Sequence, residues 1–267
     1  MRGAAPTTRP PTTRSTSDDI KAIPAVLNSE WIKLSSVRAN KAILAVSVGA
    51  GLLVAWAVAT LVTEEVLYVS EVGFYWTSVT AVLAAIGGIL LFSSEAQHGT
   101  LAGALTAQPA RWVIALSKTL TAAAMGLVLG AAGLAAGFAG ALIADIETGD
   151  TSAIAATTLW ALVWTSLSAV LGLGIAMIVR HSSGAVAGLL VWGLVVENLL
   201  NVFIPEKIAR FLPFLAGNRL LALDSDLGSA EAIAVALTRV QNALVFGAYA
   251  TVALVVGTVL LHRRDTN

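Results

Sequence analysis

Six stretches of the chain are long, apolar and almost free of charge: Ala42–Thr63, Val72–Ser94, Thr119–Ala144, Thr151–Val179, Ser182–Ile204 and Gln241–Leu261. A helix needs about twenty apolar residues to cross a hydrocarbon core, and every run meets that length. The pattern predicts an all-α integral membrane protein of six transmembrane helices. Between the second and third runs lies a polar island, Ser94–Trp112. Leu101 and Leu105, four apart, share one face of a short helix there, and Gln108-Pro109 stops it. Arg111 and Trp112 then mark a headgroup boundary.

The region before the first run divides in two. Residues 1–23 are expected to be a disordered cytoplasmic tail, because the first twenty are rich in Thr, Arg, Pro and Ser and hold no apolar block to bury. Residues 24–40 are expected to form an amphipathic helix on the inner membrane surface, with Pro24 in its first turn and Leu27, Trp31 and Leu34 on one side. Glu30 falls near that same side and spoils the stripe. No signal-peptide core stands before Ala42, so the first span is expected to be retained. The membrane domain then occupies 41–262, and 263–267 form a second cytoplasmic tail.

Composition agrees with the pattern: 57% of residues are hydrophobic, 12% are charged, and mean hydropathy is +0.83. Net charge is zero, which gives no field for nucleic acid. There is no cysteine, hence no disulfide and no thiolate chemistry. Twelve of the sixteen Lys and Arg residues fall on one side of the six-span topology, while the two short opposite loops hold Glu64, Glu65, Glu71, Asp145, Glu147 and Asp150 and no cation. By the positive-inside rule both termini are expected in the cytoplasm of a plasma membrane.

Candidate chemistry is sparse. Glu197 is the one acid well inside an apolar run, with Asn201 four residues on and Asn198 beside it. Such a carboxylate either lines a polar pathway or anchors the outer connection, for instance through Arg210 or Arg219. That connection, 205–240, is expected to dip partway into the outer leaflet as short helices. No Gly-x-x-x-x-Gly-Lys-[Ser/Thr] occurs, so the chain is expected to bind no ATP by itself. His98, His181 and His262 all map to boundaries and form no metal motif.

Several segments resemble permeases of the type-2 ATP-binding-cassette exporter family, in its bacterial drug and lipid export branch. They are Ser29-Glu30-Trp31-x-Lys33-Leu34, Glu95-x-x-His98-Gly99-Thr100-Leu101, Leu105-Thr106-x-x-Pro109-x-Arg111, the run Phe211–Leu220, and the ending Arg263-Arg264-Asp265. The resemblance implies an interfacial entry helix holding Glu30, Trp31, Lys33 and Leu34. It also implies a cytoplasmic coupling helix in which Glu95, His98, Gly99, Thr100, Leu101, Leu105, Pro109 and Arg111 dock on a separate ATPase. Two copies of that ATPase, carrying ATP and Mg, and a second permease or homologue would complete the transporter, with membrane lipids around it. The transported substrate is open: apolar drugs, lipids, peptides and glycolipids all suit such helices. The competing readings are an ion- or proton-coupled secondary transporter using Glu197, and a non-transporting scaffold or immunity protein.

Overall fold

The computed structural model describes residues 16–222, 233 and 235–263. The tail residues 1–15, positions 223–232 and 234 of the outer connection and the ending from Arg264 lie outside the described residues. Among those described the protein is all helical: α1 (Thr16–Ser36), α2 (Arg38–Leu61), α3 (Val69–Val72), α4 (Thr77–Gln97), α5 (Thr100–Ala107), α6 (Arg111–Ile143), α7 (Ile154–Val179), α8 (Ser182–Phe203), α9 (Glu206–Ala209), α10 (Pro213–Asn218) and α11 (Arg239–Arg263). Six of these segments, α2, α3–α4, α6, α7, α8 and α11, are long and apolar enough to cross a membrane.

The centre of the bundle is made by α4, α6 and α7. Small residues let their backbones approach closely, which is how helices associate where lipid gives no hydrophobic drive. A Cβ on Gly88 of α4 would collide with the Ala169 carbonyl of α7, and one on Gly172 of α7 with the Ala85 carbonyl of α4. The two Gly-x-x-x-Gly pairs of α6 serve contacts within the chain: Gly126 and Gly130 meet α7, Gly133 meets Ser47 and Thr80, and Gly137 meets Gly73. Around this core α2 packs on α6, and α11 packs on α7. Large apolar residues of α2, α8 and α11, among them Leu53, Leu194, Val202, Phe203 and Val252, point outward as lipid-facing residues do.

Several boundaries differ from expectation. α1 begins at Thr16, eight residues before the expected helix, because Asp18 and Asp19 suit a helix amino terminus and Ile23, Val26 and Leu27 extend its inner face. Pro24 therefore sits inside the helix rather than in its first turn. The helix ends at Ser36, breaks at Val37 and restarts as α2, instead of running to Asn40. The second span is broken by a turn after Val72, which exposes Tyr75 and turns Trp76 partly inward against Gly51. α6 starts at Arg111 and has 33 residues. At 1.5 Å per residue it is about 50 Å long, roughly 20 Å more than a hydrocarbon core, and its charges, Arg111 and Lys118, are confined to the amino-terminal end.

Candidate functional site

One end of the bundle is knit together by charge. α1 lays Ile23, Val26, Leu27, Glu30, Lys33 and Leu34 inward, at helical spacing, on the side that packs against α6. Glu30 is 3% exposed, and it does not interrupt the stripe without cause, because Lys118 of α6 meets it. The Lys118 ammonium is fully buried and lies 2.7 Å from Glu30 Oε2 and 2.9 Å from Glu95 Oε2. Lys33 Nζ lies 2.9 Å from both Glu30 Oε1 and Glu95 Oε1. Two lysines and two glutamates thus alternate in a closed ring that joins α1, α4 and α6. Lys118 also donates to the Leu91 carbonyl of α4, at 3.4 Å.

The ring's charges sum to zero, the condition on which buried ions are tolerated. Lys33, at the open edge, is 42% exposed. Its partial burial opposes the charged form, but hydrogen bonds and charges of Glu30 and Glu95 outweigh that and hold its pKa above the ordinary lysine value.

Other contacts reinforce the same end. Gln108, after α5, donates to Asp19 of α1 at 3.3 Å. Arg111 donates to the Leu261 and His262 carbonyls at 2.7 and 2.8 Å, capping the carboxyl end of α11, where a cation is favoured. Ser182, opening α8, donates to Gln97 of α4. His181 accepts from the Gly184 amide and caps α8.

The residues expected to face a partner therefore divide. Glu95 turns inward onto two lysines, and Arg111 Nη1 onto carbonyls at the end of α11. Local spacing does not reveal these contacts, since Lys33 is 62 positions from Glu95 and Leu261 is 150 from Arg111. Leu101 is buried and Leu105 partly buried against the core, as their shared face requires. Gly99 adopts φ +72, a left-handed conformation that turns the chain between α4 and α5. His98 is exposed, with Nδ1 2.7 Å from the Ser94 carbonyl. The outward surface of α5 holds Thr100, Ala102, Gly103, Thr106 and Ala107, followed by Pro109. Trp31, 45% exposed, faces away from the ring.

A second polar centre lies on α8. Its middle turn, Trp192–Val196, is wound as a π-helix, which brings residues five apart together. Trp192 Nε1 consequently donates to Glu197 Oε2 at 3.2 Å. The buried Glu197 also accepts from the backbone amides of Phe214 and Leu215 at the start of α10. The carboxylate anchors the outer connection, but through backbone amides and not through arginine. Arg210 instead reaches the Val235 carbonyl and stacks on Phe211. Asn198 bonds carbonyls of its own helix, and both Asn198 and Asn201 are exposed on the single chain.

Among the described residues no three His, Asp or Glu side chains converge to hold a metal ion. Fold and polar centres together define a multi-pass all-α membrane protein whose ionic groups join helices. No protein-family model and no curated protein sequence matches the chain.

Proposed function

We propose that the protein is the permease subunit of an ATP-driven ABC exporter. In this reading α1 is an interfacial entry helix on the cytoplasmic face, α5 is the coupling helix, α9 and α10 form a partly re-entrant outer connection, and both termini lie in the cytoplasm of a bacterial plasma membrane. A separate ATPase, two copies per transporter, binds ATP and Mg and pushes on α5. A second permease completes the translocation path. The chain itself is not an enzyme.

The observation that carries the reading is the division of labour around α5. Its inner face is tied into the bundle by Leu101 and Leu105, and its flanks by Glu95 and Arg111. Its outer face is small, uncharged and open. A lever needs that arrangement: a rigid connection to the membrane helices and an unobstructed surface for the motor. Glu95 then acts by transmitting movement to α1 and α6, not by touching the ATPase. A coupled secondary transporter would use Glu197 as its titrating acid, yet three N–H groups occupy that carboxylate, which suits an anchor better.

Co-purification tests the proposal. An ATPase is expected to come down with the tagged chain, and Gly103→Trp, on the open face of α5 with nothing within 4 Å of its Cβ position, should release it without changing helical content or melting temperature. Retention of the ATPase by that variant, or transport by the purified chain alone, would refute the reading.

A further inference from the structure

At the end of the bundle opposite the ionic ring, the two loops that carry acids and no cation border a cleft of about 740 Å³. Ligand sites commonly have volumes of roughly 300–1,000 Å³. Its walls come from the segment between Glu65 and Ser78, from the chain running from Asp150 into the first turn of α7, and from the end of α10 with Leu221 and Ala222 beyond it. Those walls are held in place. The Val69 and Ser70 amides donate to the Glu147 and Thr148 carbonyls at 2.9 and 3.1 Å, which ties the loops together, and Phe74 stands edge-on to Phe138 of α6.

Charge sets the ligand's sign. The carboxylates of Glu65, Glu71 and Asp150 line the cleft, and among the described residues none of them has a cation partner. No Lys, Arg or His is among the described wall residues; Arg219 lies outside them, as does Arg239, which donates to the Ala222 carbonyl at 3.4 Å. Asp150 accepts from the Ser152 amide and hydroxyl, and these bonds hold its pKa below the ordinary aspartate value. A second observation is independent of charge: Thr157, in the same wall, is only 5% exposed and its hydroxyl has no hydrogen-bond partner.

The lining sets the ligand's class. Tyr68, Phe74 and Tyr75 bring aromatic rings, whose faces attract cations, and Leu67, Ile154 and Leu221 add apolar surface. A bare metal ion needs several oxygens converging on one point, and among the described residues no three acids or histidines do so. We propose that this cleft binds an organic cation with a flat apolar body. Its charge sits among Glu65, Glu71 and Asp150, its body lies against the aromatic wall, and a polar atom reaches the Thr157 hydroxyl. This inference needs only the cleft and stands whether or not α5 docks a motor.

The test is equilibrium dialysis of the full chain in neutral maltoside micelles, corrected for empty micelles, at about 0.15 M salt, where fields between exposed charges fade within about 8 Å. Rhodamine 6G is the cationic probe, and fluorescein, with the same xanthene core and a negative charge, is its counterpart. Saturable binding of one rhodamine 6G per chain is expected, with no fluorescein bound above the micelle level. Glu65→Gln with Glu71→Gln, two exposed positions, is expected to weaken binding about tenfold at unchanged helical content, and Thr157→Val, which keeps the shape of the wall, about threefold. Glu64→Gln, beside the cleft but not in its walls, is expected to keep the affinity within about twofold. Equal binding of the two dyes overturns the proposal, as does rhodamine binding indifferent to the double change or to Thr157→Val, or a loss in Glu64→Gln as large as in the double variant. Displacement by calcium chloride that sodium chloride of equal ionic strength does not reproduce overturns it too, since it would make the acids a metal site.

Discussion

Replacing Lys118 by Met keeps the length of the side chain and removes its charge from the centre of the ring. Two contacts, at 2.7 and 2.9 Å, disappear, and the cluster passes from neutral to one net negative charge. At an effective dielectric constant of 20 each contact is about 6 kcal/mol of attraction, against which the desolvation of a fully buried ammonium is set. The balance when one partner of a buried pair is removed is about 3–5 kcal/mol of destabilisation. Lys33 can shield little of it, since an exposed ion pair is worth about 0–1 kcal/mol. The loss should appear first as release of α1, because α1 meets the bundle mainly along α6. At 1.36 kcal/mol per tenfold, opening becomes roughly a hundred to a few thousand times more frequent. The chain has no cysteine, which makes the assay clean. Thr121 is 3% exposed and lines the same gap as Leu27 and Trp31 of α1, so Thr121→Cys should react with a maleimide only when α1 lifts. Its labelling rate, divided by that of the unfolded chain, reads the opening equilibrium directly. Lys118→Met is expected to raise it by the factor above. If Lys118→Met labels within threefold of the parent, the ring does not hold α1 and the reasoning fails.

Three further outcomes follow from the same structure. Glu197→Leu strands the Trp192 indole N–H and the amides opening α10; each buried donor without a partner costs about 1–3 kcal/mol, so a large drop in melting temperature is expected, and a smaller one for Glu197→Gln, which keeps one acceptor. Gly172→Ala should destabilise by about 1–3 kcal/mol or more through its collision with the Ala85 carbonyl, whereas Gly188→Ala, with nothing within 4 Å, should be neutral or slightly stabilising; thermal melts in detergent separate the two. The Lys33 pKa is raised, so its contribution to α1 docking is complete below the ordinary lysine value of about 10.4 and is lost only as pH climbs through the higher folded value. Protection of Thr121→Cys, corrected for thiol ionisation, is accordingly expected to gain no loss from Lys33 between pH 7 and 9, and a Lys33-dependent fall in that window would contradict the assignment.

Much of the architecture was legible because lipid imposes it: an uncharged run of twenty residues has few alternatives to a spanning helix, and all six runs became helices. The short helix between the second and third spans was legible too, since Leu101, Leu105 and the Gln108-Pro109 stop are local signals. What local spacing could not supply was the direction of polar side chains. Arg111 reads as a headgroup cation because it stands where an apolar run gives way to charge. Glu197 was recognisable as costly and therefore partnered, but a backbone amide of α10 carries no mark in the sequence, and arginine was the visible substitute.

The ionic ring was nonetheless foreshadowed by two misfits. Glu30 spoils an apolar stripe on α1, and Lys118 stands seven residues inside a helix that is otherwise apolar beyond it. Each alone reads as tolerance of a surface charge. They are 88 positions apart, so no periodicity connects them, yet their signs are opposite and each requires burial of its helical face. Neither charge can be buried without the other, and a fold that buries both faces must bring them together. That necessity makes α1 part of the membrane domain's structure: wherever α6 moves, the ring obliges α1 and the end of α4 to move with it, or to part at a cost of several kcal/mol.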